Sequence, residues 1–200
     1  AVFAIVAETM RAARDALPLA KVEYETLPAI LTIDEAMKAG SWLGPSVTME
    51  SGSPDTALAG AQHTLSGRIE IGGQEHFYLE GQAALAIPGE DRDMTLHCST
   101  QHPSEIQHKV ADCLGLSNNA VTVETRRMGG AFGGKESQGN LPAILSALAA
   151  HVTGRPAKTV YDRDDDFMLT GKRHDFRIDY SFGFDTCLLY TSDAADEAEC

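Results

Sequence analysis

The stretch RRMGGAFGGKESQ, residues 126–138, decides how the rest of the chain is read. It follows VTVETR (121–126), whose β-branched residues alternate with polar ones and spell a strand. It precedes an apolar run from Asn140 to Val152 that spells a helix. Gly129, Gly130, Gly133 and Gly134 therefore crowd into a strand-to-helix connection. Glycines there permit positive φ and let backbone N–H groups come close to an anion, and the N-terminus of the next helix adds a favourable field. The alternative is a tight connection that holds no ligand, although four glycines around an apolar Phe132 exceed what a plain connection needs. GGAFGGK, from Gly129 to Lys135, also fits the G-x-x-x-x-G-K of a nucleotide phosphate loop. The next residue of that motif is Ser or Thr, which holds Mg²⁺. Here it is Glu136, a like charge beside any phosphate, and Ser137 comes one position late. A P-loop-like nucleotide-binding protein stays open as an alternative of another class, as does a non-catalytic structural remnant.

Outward from this loop the chain spells a mixed α+β unit. Strands are expected at 66–72, 81–87, 94–99, 157–161 and 175–182. Pro103 opens a helix whose Ile106, Val110, Cys113 and Leu114 share one face, and Gly115 closes it. Gly154 and Pro156 end the helix after the glycine loop. Nearer the start, Val2–Ala7 and the alternating residues around Val22 and Tyr24 suggest strands. Residues 9–17 suggest a helix ended by Pro18, and Thr32 with Glu35 forms a capping box before a helix that stops at Gly40. Residues 41–64 are rich in Ser, Gly, Pro and Thr, show no period, and are read as a linker.

Composition narrows the partners. The 200 residues carry 29 acidic and 16 basic side chains, a net charge of −13, so nucleic acid is a poor partner. No apolar run reaches the ~18 residues of a membrane span, and the opening AVFAIVAETM lacks the charged region and cleavage site of a secretory signal. That opening reads as a cut from the middle of a longer chain. The end, CLLYTSDAADEAEC (187–200), matches nothing before it and looks like a translated sequencing-library adapter, so 186–200 is set aside as a non-native tail. Without its four acids the charge is −9, and Cys98 and Cys113 remain as lone thiols, as a reducing cytoplasm leaves them.

Other motifs fail on inspection. Asp162, Asp164 and Asp166 start like a calcium loop, but the sixth position is Phe167 and the twelfth Arg173, so a solvated or salt-bridged turn is expected. Glu75, His76 and Glu80 suggest a surface hairpin rather than a metal site. No histidine pair has convincing ligand spacing, and no G-x-S-x-G elbow supports serine chemistry.

Four segments together resemble the molybdenum hydroxylase family, in particular its xanthine dehydrogenase-type molybdenum-binding subunits. They are VFAIVAET…AKVEYETLPAI near the start, GQEHFYLEGQAALAIP (73–88), CSTQHPSEIQHKVADCLGL (98–116), and RRMGGAFGGKESQ (126–138) continuing to Asp185. The likeness covers residues 1–185 and is greatest to bacterial enzymes whose molybdenum part is a separate subunit. It implies an α+β fold: the end of a small hammerhead-like α/β domain (1–40), the linker (41–64), and the first part of a molybdenum-cofactor-binding domain (65–185). It implies a molybdenum–pyranopterin cofactor, with Gln101 near an oxygen ligand of the metal and Phe132, flanked by Ala131 and Gly133, against the cofactor. Gln101 and Phe132 would then lie just outside the metal's own ligands.

Glu136 corresponds to the substrate-binding Glu of purine-oxidising members, and in a deep pocket desolvation would favour its protonated form. The implied reaction is hydroxylation of a purine carbon with water-derived oxygen. Aldehydes or other N-heterocycles are the alternative substrates. The general-base Glu and a substrate-stabilising Arg of such subunits have no match in residues 1–185, so this piece is expected to be inactive alone. The likeness also implies iron–sulfur clusters and FAD on a partner subunit or domain, a cytoplasmic location and a homo-oligomeric complex. Gln101 and Glu136 can meet only if the helix at 103–115 and the strand at 121–126 fold the chain back on itself.

Overall fold

A computed structural model describes residues 2–186. The chain divides into two compact units, each assembled from separated stretches. The first takes the chain up to Tyr24 together with Gln74–Arg173. The second takes Glu25–Gly73 and the chain from His174 onward.

The first unit is built on four strands: β2 (Ala83–Pro88), β3 (Met94–Cys98), β4 (Val121–Glu124) and β5 (Ala157–Val160). They lie in the order β4-β3-β2-β5, with β2 antiparallel to both neighbours and β3 parallel to β4. A parallel pair needs a crossover, and helix α4 (Pro103–Leu114) supplies it. Pro103 starts that helix and Gly115, at φ 62°, closes it. Helix α5 (Asn140–Thr153) packs beside α4 and ends at Gly154, also left-handed.

Alternation in the strands turns Ala84, Ala86, Met94, Leu96, Cys98 and Val121 toward these helices, where Ile106, Val110, Leu114, Ala143, Ala147 and Ala150 complete the core. The small residues of α5 let it lie close to β2, and Ser146 Oγ reaches the Ala84 carbonyl at 3.1 Å and Thr159 Oγ1 at 2.8 Å. Cys113 is exposed and Ala111 takes its place in the core. The buried stripe is centred between Val110 and Leu114, which carries position 113 to its outer edge.

Two expectations change in this unit, the early strands and the acidic turn, while the first helix forms where expected. Val2–Ala7 and the residues around Val22 and Tyr24 form no strand, because neither segment finds a strand to bond with among the described residues. The first helix is α1 (Met10–Ala16), capped by Thr9 and followed by a short 3₁₀ turn through Leu19. The acidic stretch is a helix, α6 (Arg163–Leu169), in place of a turn. Asp162 caps it in a reciprocal box with Asp165, and Arg14 of α1 binds both carboxylates at 2.6 and 2.8 Å. Its acids are thus spent on capping and an ion pair.

The second unit holds α2 (Ile33–Ala39), α3 (Pro54–Gly60), β1 (His63–Ile71) and β6 (Phe176–Phe184). The Thr32–Glu35 box and the left-handed Gly40 bound α2 as the sequence suggests. Helix α3 forms inside 41–64, where no periodic structure was expected. Strands β1 and β6 pair antiparallel from His63↔Phe184 to Ile71↔Phe176. One face of this ribbon carries Arg68 bonded to Asp179 at 2.7 Å, and Arg177 bonded to Glu70 at 3.0 Å and to Asp34 of α2 at 2.6 Å. The other face is apolar, with Leu65, Ile69, Ile71, Phe176, Ile178 and Phe182 all exposed.

Among the described residues, no helix is long and apolar enough to cross a membrane. Residues 187–200, read above as an adapter-derived tail, lie outside the described residues.

Core burial sets a stability contrast on α4. Ile106→Ala leaves a cavity in a fully buried site and lowers unfolding free energy by about 2–5 kcal/mol. Cys113→Ala changes it by less than about 0.5 kcal/mol. Urea denaturation of both variants checks the pair.

Candidate functional site

The site is built from three segments of the first unit: Glu75–Gln82, Ser99–Gln101 and the glycine loop. One carboxylate oxygen joins them. Glu80 Oε2 accepts from Ser99 Oγ at 2.7 Å, from the Gly129 N–H at 2.8 Å and from Lys135 Nζ at 2.9 Å. The backbone repeats the contact, since the Glu80 N–H donates to the Gly129 carbonyl at 3.1 Å. Burial works against the charged form of Glu80, but these three donors and the Lys135 charge outweigh it and hold the carboxyl below its ordinary value.

The Lys135 side chain is fully buried. Its ammonium donates to Ser99 Oγ at 2.8 Å as well as to Glu80, and stands 4.7 Å from the centre of the Tyr78 ring. Deeper, Tyr78 OH donates to the buried Asp166 at 2.8 Å. Gln82 Nε2 donates to Tyr78 OH at 2.8 Å and to the Gly134 carbonyl at 2.9 Å. Burial, reinforced by the bond to Asp166, pushes the Tyr78 phenol up to about 12, so it stays a donor.

Each loop glycine has its own reason. A Cβ on Gly129 would stand 2.6 Å from Glu80 Cβ, and one on Gly134 would stand 2.6 Å from the Tyr78 ring. Gly130 and Gly133 both sit at φ 88°, where a side chain is strained. Phe132 adopts φ 53° despite its Cβ and is 75% exposed.

The structure brings Gln101 to this loop. Its Oε1 accepts from the backbone N–H of Gly133 at 3.0 Å and of Lys135 at 3.3 Å, and its own N–H donates to the Lys135 carbonyl at 3.0 Å. The chain does fold back through α4 and β4, as the separation of Gln101 from Glu136 required. Two facing N–H donors demand the amide oxygen on that side. The Nε2 donor therefore turns away and has no partner among the described residues. Ala131 is buried, while Gly133, Glu136 and Phe132 are exposed, so Glu136 is not in a deep pocket in this chain.

The sequence did not single out Glu80, Ser99, Tyr78, Gln82 or Asp166 as part of this site. The only hint was that all five stand in the segments that carry the resemblance. Glu75 pairs with Lys172 at 2.6 Å and Glu80 with Lys135, in place of a surface hairpin. Among the described residues no His, Cys, Asp or Glu group could hold a metal ion. The phosphate-loop alternative is overturned, because the lysine that would bind a phosphate is fully buried and engaged by Glu80 and Ser99.

This fold and loop define a class. The molybdopterin cofactor-binding domain family matches residues 40–187, and the chain belongs to that family. It is 44% identical over 182 residues to the xanthine dehydrogenase/oxidase of Mus musculus and 40% identical over 183 residues to aldehyde oxidase 2 of Cavia porcellus. Each comparison covers 90% of this chain but only 14% of the relative. Quinoline 2-oxidoreductase from Pseudomonas putida 86 shares the fold at a TM-score of 0.78 and 24% identity, over 90% of this chain and 24% of that one.

The residues present fit a molybdopterin cofactor. The backbone N–H groups of Gly130, Ala131 and Phe132 take no hydrogen bond among the described residues. No atom lies within 4 Å of where a Cβ on Gly133 would stand, and Gln101 Nε2 is unpartnered. Neutral donors around open space suit an anionic, oxygen-bearing group without adding a rival charge.

The Glu80 carboxylate makes the site acid-sensitive. Its pKa is lower folded than unfolded, so its stabilisation is present above the ordinary value of 4.5 and is lost as pH falls through the folded value. Glu80→Gln is expected to melt below wild type at neutral pH, with the gap narrowing once pH drops under 4.5. Thermal melts across that range check the sign.

Proposed function

We propose that this chain is part of a xanthine dehydrogenase-type molybdenum hydroxylase that acts on a purine. The observation that carries the reading is the Gln101 amide, fixed by the backbone of Lys135, the residue before Glu136, with its own donor free beside an open glycine loop. When bound, the molybdenum cofactor supplies the two-electron oxidation that places a water-derived oxygen on a substrate carbon. The chain's own residues hold and orient. Gln101 Nε2 would donate toward the bound cofactor, and an amide neither ionises nor displaces a ligand there. The backbone of Ala131, Phe132 and Gly133 would lie against the cofactor, with the exposed Phe132 ring beside it. Glu136 orients the purine by accepting a hydrogen bond from a ring N–H.

The remaining catalytic groups, a general-base Glu among them, would come from sequence beyond residue 185. The electrons would pass to iron–sulfur clusters and FAD on a partner subunit or domain of a cytoplasmic, homo-oligomeric enzyme. Aldehyde oxidation is the second reading, favoured by the 40% identity to aldehyde oxidase 2. Glu136→Ala in the full-length protein separates the two. Xanthine turnover is expected to fall at least about tenfold while molybdenum per subunit stays within about twofold. Unchanged xanthine turnover removes Glu136 from purine binding, and aldehyde turnover indifferent to the change supports the second reading.

A further inference from the structure

We propose that Lys135 is a positioning residue that acts through Gln101: its buried ammonium anchors the backbone segment that sets which way the Gln101 amide faces. The inference deepens the functional reading above and rests on it where turnover is concerned. Three observations carry it.

First, Lys135 holds Gln101 twice through its main chain, since its N–H donates to Oε1 and its carbonyl accepts the Gln101 N–H. Thr100 Oγ1 donates to the same carbonyl at 3.0 Å, so the Thr100–Gln101 pair clasps this one residue. Second, the Lys135 side chain is fixed from the opposite side. Glu80 Oε2, Ser99 Oγ and the Tyr78 ring surround its ammonium, and none of it is exposed. Third, the pocket that grips the ammonium is built from the same strands of chain that border the loop. Ser99 lies two residues before Gln101, and Glu80 also takes the Gly129 N–H. A shift of Lys135 thus moves both acceptor and donor of the Gln101 clasp together.

A long, flexible side chain is held in a single buried geometry only where its contacts offset both its lost rotamer freedom and its desolvation. Here the contacts end on Ser99, two residues before Gln101, and on Glu80 and Tyr78 of the segment packed beside the loop. Without the ammonium, Glu80 loses a donor, the 133–135 backbone is free to move, and the Gln101 oxygen loses its paired N–H groups. The amide can then rotate and offer its oxygen where the site needs its donor.

The test is a double-mutant cycle in the full-length protein, with turnover counted per bound molybdenum. Lys135→Met is expected to lower xanthine kcat about tenfold with KM within about twofold, but to lower it less than about twofold on a Gln101→Leu background. Equal loss on both backgrounds, or no loss on either, overturns the proposal. Ser99→Ala keeps the Glu80 ion pair and removes one of the two bonds to the ammonium, so it repeats the cycle if Lys135→Met does not fold. Its expected loss is about threefold, again absent beside Gln101→Leu.

Hydrogen exchange of the segment 129–136 is an independent readout that needs no cofactor. Lys135→Met and Gln101→Leu should each speed it about tenfold, and the double variant no further. Additive or absent effects overturn the clasp. A wild-type protein that holds no molybdenum, or holds it without oxidising xanthine, counts against the functional reading alone, and exchange still decides the role of Lys135.

Discussion

A single carboxylate oxygen, Glu80 Oε2, organises the site. It receives a hydroxyl, a backbone amide and an ammonium, and these come from two segments distant from it in sequence, the Ser99 corner and the glycine loop. An acceptor so saturated cannot relax toward one donor without losing another. The loop start at Gly129, the Ser99 corner after β3 and the loop end at Lys135 are therefore fixed relative to one another. The geometry of Gln101 and of the open space beside Gly133 follows from that restraint.

Beneath it lies a second polar layer. Asp166 on α6 accepts from Tyr78, Tyr78 accepts from Gln82, and Gln82 reaches the Gly134 carbonyl. Buried polar groups are costly when unpaired, and in this chain of bonds each depends on the next. The layer ties the loop to α6, whose capping acids are in turn held by Arg14 of α1. Apolar packing between the sheet, α4 and α5 supplies the foundation, and the hydrogen-bonded layers set the fine position of the loop on it.

Much of this was legible before the structure. Pro103 and Gly115 bounded α4, and Thr32, Glu35 and Gly40 bounded α2, because caps are local chemistry. The glycine-rich connection announced itself, and the family it signals is the one to which the chain belongs. What escaped was non-local. A strand-like pattern at Val2–Ala7 means nothing without a neighbour, and Asp162 and Asp165 look like a charged turn until Arg14 and the capping geometry are seen. The phosphate-loop alternative for Lys135 stayed open because sequence shows a lysine's charge but not its burial. Glu80 could not be recognised as the hub, since its three donors come from residues 19 to 55 positions away.

The loop divides its labour by position. Gly129 and Gly134 are locked by close approach to Glu80 and Tyr78, and Gly130 and Gly133 by their backbone angles. Lys135 is locked by burial. Phe132 and Glu136 alone among these neighbours present exposed side chains that the scaffold does not need for its own cohesion. Variation is thereby channelled. Over evolutionary time, a protein built this way can try new side chains at 132 and 136 without loosening the frame, whereas change at any of the other five positions threatens the frame itself. Exposed surface and structural integrity are encoded a single residue apart and can drift separately.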